Sequence, residues 1–322
     1  MVFQRHWAVR LILVGLMGTV VLTGTGDLQA QPAEIRSNPR EDEALDLIVT
    51  VVGADSLEEQ IAGVRKLAAF RYPTVALALV QIAEEPELHA QLSRELEWAL
   101  VALSELAVEP LADALANDRV SRDFASILLR RIARQELDFV APLLQHDHPA
   151  VARAAGLAVA LCGHPDADQK ISDSFEDAAP AARQALLEAT CHRYPLKCPE
   201  LVKLTFSDAN PEVRILAIDL SRREALKDNR ARVISCLHDP HPGVARAALE
   251  ALTFQGLQGL EKDLEIMLKS SPPDMREDVL RSLAILRTKA ARKVIRQFAR
   301  DHGDRTSLGR LARTLLNAGK EP

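Results

Sequence analysis

The feature that most constrains the fold of this chain is a short unit that recurs at a nearly constant interval. The unit consists of an Asp, a polar or Pro-containing turn, an Arg, and a run rich in Ala and Leu. Its aspartates stand at positions 147, 177, 208 and 239. The Asp/Arg pairs of these units are Asp147/Arg153, Asp177/Arg183, Asp208/Arg214 and Asp239/Arg246. Self-similarity at a fixed period of this length is typical of repeat proteins, in which each unit packs on the next one.

Each unit predicts a pair of helices. The Asp can accept hydrogen bonds from backbone N–H groups at a helix start, and Pro is tolerated in the first helical turn. Apolar residues then recur at helical spacing, as in Val213, Leu216, Ala217 and Leu220. A lone helix pair cannot bury both of its apolar faces, so neighbouring pairs must cover them. We therefore expect an all-α fold, an α-solenoid of about nine stacked antiparallel helix pairs over residues 41–318, between a linker at 31–40 and a tail at 319–322.

The composition agrees with packed helices, and the units resemble HEAT repeats, in particular their short variety. Aromatic residues make up only 4% of the chain, so Ala, Leu, Val and Ile supply most of its apolar mass. The resemblance implies that the Asp and the Arg join adjacent repeats. It also implies that the Arg-bearing helices line a concave inner surface, at residues 119–132, 150–161, 181–191, 212–222 and 243–254. The Asp/Arg pattern is complete in the middle and degenerate at both ends, as expected of capping repeats.

Residues 1–30 predict a secretory signal peptide. A short basic start with Arg5 and Arg10 precedes an apolar run over residues 11–23, and Ala30 offers a cleavage point. The apolar run is shorter than the roughly 20 residues of a membrane-spanning helix. An uncleaved membrane anchor is the alternative. The expected location is therefore exported, either periplasmic or extracellular.

The four cysteines are interpreted in the light of this expected export, because disulfides persist in oxidising compartments. Cys191 and Cys198 lie close together in sequence across a Pro-containing stretch and are the predicted disulfide pair. Cys162 and Cys236 lie at the ends of apolar helical patterns and are predicted to be small buried thiols. The spacing of the cysteines and nearby histidines matches no compact zinc signature, so neither a metal site nor a cofactor is predicted.

The absence of catalytic motifs predicts that the chain is not an enzyme. It contains no Gly-x-Ser-x-Gly, His-Glu-x-x-His, Gly-Lys-Ser/Thr or Cys-x-x-Cys motif. Its carboxylates fall at helical spacing with Arg or Lys, the ordinary arrangement on a solvated surface. No small-molecule substrate is therefore predicted.

Charge is distributed unevenly along the chain. Residues 41–118 contain 16 acidic and 4 basic residues, a net charge of −12, whereas residues 281–322 contain 11 basic and 3 acidic residues, a net charge of +8. One predicted helix carries a candidate basic patch of Lys289, Arg292, Lys293, Arg296 and Arg300. Its cations fall on one face of the helix. Three interpretations remain open: the face is simply solvated, it binds an acidic partner or anionic lipid, or it forms half of a head-to-tail contact between copies of the chain.

The leading functional hypothesis is an exported, non-enzymatic scaffold that binds unidentified protein partners through an extended helical surface. One alternative is docking on an anionic membrane surface through the basic C-terminal end. A second is a HEAT-like nucleic-acid-binding protein, which is disfavoured by a pI of about 6.0 and by basic residues concentrated at one end. A third is a subunit resembling the HEAT-like bilin lyases, which a signal peptide disfavours.

Overall fold

The computed structural model describes residues 39–193, 198–222, 229–303 and 305–318. In these ranges every regular element is helical, with eighteen α-helices, one short 3-10 helix and no strand. This confirms the predicted all-α fold class. By its internal contacts the chain divides into two compact units, Met1–Ala189 and Thr190–Pro322.

Several predictions about the chain termini fall outside the described ranges. These are the signal peptide at 1–30, residues 31–38 of the linker, and the tail at 319–322. The first helix begins at Pro39, so the last two residues of the expected linker already belong to it. None of the helices in the described ranges is long and apolar enough to cross a membrane.

In the first unit, helices pack against their neighbours in a regular way. The helices are α1 (Pro39–Gly53), α2 (Leu57–Leu67), α3 (Pro73–Glu84), α4 (Pro86–Leu103), α5 (Glu105–Ala116), α6 (Arg122–Gln135), α7 (Leu137–Val140), the 3-10 helix η1 (Ala141–Gln145), α8 (Pro149–Leu161) and α9 (Ala167–Ser174). Helix α10 (Pro180–Arg193) contains the point of division. Most helices contact both the next helix and the one after it: α1 contacts α3, α3 contacts α5, α2 contacts α4, and α4 contacts α6. The helices of this unit therefore pack on one another in a repeat-like way.

The second unit repeats this arrangement. Its helices are α11 (Cys198–Thr205), α12 (Pro211–Ser221), α13 (Arg230–Cys236), α14 (Pro242–Gln255), α15 (Glu261–Ser270), α16 (Pro273–Leu286), α17 (Lys289–His302) and α18 (Ser307–Ala318). Helices α12, α14, α16 and α18 contact one another in succession, and α15 contacts α17. Each even helix also contacts the odd helix before it, as in α13 with α14 and α17 with α18. The packing is thus repeat-like within each unit.

A series of prolines determines where the even helices begin. Pro is the first residue of α8, α10, α12, α14 and α16, at positions 149, 180, 211, 242 and 273, and the interval between successive prolines is constant. Pro suits this position because its fixed φ is helical and its missing N–H has no intrahelical acceptor there. The proline series is therefore a more regular marker of the period than the aspartates.

Small residues let neighbouring helices approach closely. A Cβ added at Gly156 of α8 would lie 2.7 Å from the carbonyl oxygen of Ala182 and 2.9 Å from the Cβ of Ala185, both in α10. Ala182 and Ala185 are fully buried. Since interiors of this kind are close-packed, there is no room for larger side chains at this contact.

Candidate functional site

Arginines near the starts of the even helices bind the turns that precede those helices. Nη1 of Arg214 donates a hydrogen bond to the backbone carbonyl oxygen of Asp208 at 2.6 Å. Arg183 and Arg276 bind carbonyl oxygens of their own turns in the same way. All three arginines stand three residues after the proline that begins the helix. This position lets one guanidinium satisfy carbonyl groups that the turn itself leaves without partners.

Arg214 also joins its helix to the next turn of the second unit. Its Nε and Nη2 donate to Oδ2 and Oδ1 of Asp239, each at 2.8 Å, and the two side chains are only 11% and 10% exposed. Burial by itself would raise the pKa of Asp239. The hydrogen bonds from Arg214 and from the backbone amide of His241 outweigh burial and hold this pKa below its usual value. The result is a nearly buried, bidentate connection between α12 and the turn before α14.

Arg153 and Arg246 lie one residue further from their prolines and make a different contact. Arg153 binds Glu188 at 2.8 Å, and Arg246 binds Asp274 on α16. One residue along a helix rotates a side chain by about 100°, so these guanidinium groups reach carboxylates of the next even helix. Both ion pairs are substantially exposed. The arginines of the predicted ladder therefore connect neighbouring helices in two distinct ways.

Asp208 and Asp239 do not cap the helices that follow them. Oδ1 of Asp208 accepts from the backbone N–H of Asn210 at 2.8 Å, and Asn210 itself caps α12. Asp239 likewise accepts from His241, the residue before Pro242. Asp147 and Asp177 are exposed. The expected capping role is thus wrong for Asp208 and Asp239, because they lie too far ahead of a helix that starts with Pro and instead order the turn.

Sequence reasoning missed three residues of this network. The Asp/Arg motif includes neither Arg276 nor the ion-pair partners Glu188 and Asp274. The signal that could have found Arg276 is its position three residues after Pro273, which matches Arg214 after Pro211. Glu188 and Asp274 carry no comparable signal, since helix packing alone brings them to their arginines.

The cysteines divide into two classes. Cys162 and Cys236 are buried free thiols, as expected. Burial, with a smaller contribution from the negative charge of Asp239, raises the pKa of Cys236 to about 11, so its reactive thiolate form is scarce at neutral pH. Cys191 is buried and disulfide-bonded. The side chain of Cys198 lies outside the described residues, so its pairing with Cys191 stays a prediction.

The predicted basic patch lies on α17 and is exposed to solvent. All five of its cations, Lys289, Arg292, Lys293, Arg296 and Arg300, are exposed, whereas Ala291, Ile295, Phe298 and Ala299 form the buried face of the helix. Arg292 and Arg296 line a groove of about 220 Å³ together with Arg313, Leu316 and Asn317 of α18. The patch is therefore one wall of a cationic groove between two helices, and a high positive potential is expected there.

A second surface feature lies in the first unit, around Trp98 on α4. The indole is 54% exposed and borders a depression of about 390 Å³, whose other lining residues are Arg65, Arg94 and Glu95. Arg65 of α2 binds Glu95 at 3.3 Å. An exposed Trp flanked by arginines has the composition that is enriched at the energetic centres of protein interfaces. Sequence reasoning did not single out this residue.

Exposed apolar residues also recur on the even helices of the second unit. Phe254 on α14 is 70% exposed, and the guanidinium carbon of Arg222 lies 5.1 Å from its ring centroid. Ile285 on α16 is also exposed and follows Phe254 by one full period of the repeat. The repeat therefore places two large apolar side chains at equivalent positions of adjacent helices.

Two further titratable side chains lie outside these features, Glu84 in α3 and His164 between α8 and α9. Burial raises the pKa of Glu84, although Arg119 binds this carboxylate at 2.6 Å. No group of three or more His, Cys, Asp or Glu side chains in the described ranges could hold a metal ion. Nδ1 of His164 accepts a hydrogen bond from the backbone N–H of Asp166 at 3.2 Å.

The resemblance to HEAT repeats rests on the repeated units of this chain. No protein-family model matches the chain, and no curated protein is significantly similar to it in sequence.

Proposed function

We propose that this protein is an exported, non-enzymatic scaffold whose HEAT-like helix pairs form an α-solenoid and present an extended surface to other proteins. The observation that carries the proposal is the exposure of large apolar side chains on the even helices of both units. Trp98, Phe254 and Ile285 point to solvent from helices whose opposite faces are fully packed. Exposed aromatic residues beside arginines are characteristic of protein-binding surfaces.

The packing explains how such a surface could be held rigid. Buried Ala, Leu and Val join the helices, and the arginine contacts connect the turns to the following helices within each unit. The outward-facing residues take no part in these contacts. Substitution of these surface residues therefore leaves the buried core intact. This property makes stacked helix pairs suitable for binding different partners.

Site-specific photo-crosslinking in cells tests this proposal. A photoreactive phenylalanine analogue replaces Trp98 in one strain and Arg130, an exposed residue of α6, in a matched control strain. We expect a discrete cross-linked protein at position 98 and none, or a different set, at position 130. Identical products at both positions, or none at either, would contradict a specific binding surface at Trp98.

A second candidate function is peripheral docking on an anionic membrane surface. It is favoured by the five exposed cations on one face of α17, since each basic residue near such a surface contributes about 1 kcal/mol of attraction. Co-sedimentation with phosphatidylglycerol vesicles tests it against a Lys293→Glu/Arg296→Glu variant. We expect at least tenfold weaker binding of the variant. Equal binding of the two proteins, or no binding by either, would exclude this function.

A further inference from the structure

Two surfaces at opposite ends of the sequence have complementary chemistry. The first lies on α1 and α2, where Val49 and Leu57 are 41% and 45% exposed. The same two helices carry five exposed carboxylates: Asp42, Glu43, Asp46, Glu58 and Glu59. We call this set the acidic end face. The face is predominantly acidic, although Arg40, Arg65 and Lys66 of the same two helices are also exposed.

The second surface lies on α17 and α18. It contains the five cations of the basic patch and the groove that Arg313, Leu316 and Asn317 complete. Leu308, Leu311, Leu315 and Leu316 of α18 are only half-buried. We call this set the basic end face. Like the acidic end face, it presents partly exposed aliphatic residues beside charges mainly of one sign; Asp301 is the exposed carboxylate of α17.

Packing within the units shows what kind of element fits these faces. Among the described helices, α1 and α2 are packed by α3 and α4, and α17 and α18 by α15 and α16. Every such contact places one helix pair against another. A further helix pair of opposite charge is therefore complementary to each end face in both shape and charge.

We propose that the acidic end face of one copy of this protein binds the basic end face of a second copy, in a head-to-tail contact between helix pairs. The occupant is identified by charge complementarity, because five exposed carboxylates on one face would meet five exposed cations on the other. The contact buries Val49 and Leu57 against the half-buried leucines of α18. Such a contact is heterologous, so each copy keeps one unused face and assembly continues beyond a dimer.

The test is sedimentation velocity of the protein produced from its full coding sequence, over a range of concentrations. We expect oligomers that grow with concentration at low salt and dissociate at about 1 M salt, where the Debye length falls from about 10 Å to about 3 Å. An acidic-face variant carries Asp42→Lys and Asp46→Lys, and a basic-face variant carries Lys293→Glu and Arg296→Glu. Each variant alone should require at least a tenfold higher concentration to associate.

Mixing the two variants gives the decisive result. The acidic-face variant keeps an intact basic end face and the basic-face variant an intact acidic one, so an equimolar mixture should form dimers that cannot extend. Control variants with the same charge changes elsewhere, Glu136→Lys/Glu250→Lys and Arg130→Glu/Arg232→Glu, should assemble like the unmodified protein. Circular dichroism checks that all variants are folded.

Three results would overturn the proposal. They are an unmodified protein that is monomeric at every concentration and salt, association that neither face variant weakens, and a folded mixture of the two variants that stays monomeric. Binding of the unmodified monomer to anionic vesicles instead would assign the basic end face to a membrane surface.

Discussion

Replacement of Arg214 by Met removes a nearly buried connection in the second unit. Arg214 holds the carboxylate of Asp239 through two hydrogen bonds of 2.8 Å and the carbonyl of Asp208 through one of 2.6 Å. Met keeps much of the side-chain length but offers no donor. The carboxylate and the carbonyl would then remain in a site where both original side chains were about nine-tenths buried.

The expected cost follows from this burial. Removing one partner of a buried ion pair costs about 3–5 kcal/mol, because the other charge is left without compensation. The matched control is Arg246→Met, at the corresponding position of α14. The Arg246 and Asp274 side chains are 42% and 66% exposed, and an ion pair of that kind contributes only about 0–1 kcal/mol. The two Arg→Met variants should therefore differ by at least about 2 kcal/mol.

Urea denaturation followed by circular dichroism measures this difference. The free energy of unfolding is compared for the unmodified protein, Arg214→Met, Asp239→Asn and the double variant. Since the two side chains interact directly, the double variant should cost about 2 kcal/mol less than the sum of the single changes. The reasoning is refuted if Arg214→Met is no more destabilising than Arg246→Met, or if the single effects simply add.

The same pair predicts a pH dependence with a definite sign. The pKa of Asp239 is lower in the folded protein than its usual value, so the ionised carboxylate stabilises the fold above the unfolded pKa of about 3.9. This contribution is lost as the pH falls through the folded pKa. The stability difference between the unmodified protein and Asp239→Asn should therefore shrink below about pH 4 and stay constant between pH 5 and 7. A difference that grows on acidification would contradict this sign.

Four further predictions concern the core, the thiols and the surface. Gly156→Ala should lower the free energy of unfolding by about 1–3 kcal/mol, because the new methyl group meets α10. Gly53→Ala is the control: an added Cβ there has no atom within 4 Å, so the free energy of unfolding in the same urea titration should not change. Cys236 should resist alkylation in the native protein at pH 8 and react once the protein is unfolded in urea, because its thiol is buried and its pKa is raised to about 11; rapid native alkylation would contradict its burial. Peptide mapping without reductant should find Cys191 linked to Cys198, and two free thiols would exclude that bridge. Trp98→Ala should change the free energy of unfolding by less than about 0.5 kcal/mol and, in excess, should fail to compete with the cross-linkable protein for its partner, whereas the unmodified protein competes; a large loss of stability would make Trp98 a structural residue.

Much of the helical architecture could be predicted from sequence because its signals are local. The expected Arg-bearing helix at 212–222 is observed as α12 at Pro211–Ser221, and the expected helix at 243–254 is α14 at Pro242–Gln255. These boundaries agree because Pro, turn residues and apolar spacing act within a few residues of one another. The exposed basic face of α17 was predictable for the same reason, since helical spacing alone separates Lys293 and Arg296 from Ile295.

The candidate binding surface could be predicted only in part. Trp98 and Phe254 are large apolar residues within helical patterns, and sequence spacing does not distinguish a buried aromatic side chain from an exposed one. Their exposure depends on which neighbouring helix covers each face. The depression beside Trp98 also needs Arg65, which comes from a different helix.

The period of the repeat is set locally, because prolines at a constant interval begin five successive even helices and the constraint on φ is a property of proline itself. The carboxylate partner of each arginine, in contrast, is set by tertiary packing. Arg214 and Arg246 occupy the same repeat position to within one residue. That residue rotates the guanidinium by about 100°, toward the turn carbonyl of Asp208 in one case and toward Asp274 of the next even helix in the other. The carboxylate partners, Asp239 for Arg214 and Asp274 for Arg246, depend on how neighbouring helices pack, a relation that no local pattern contains.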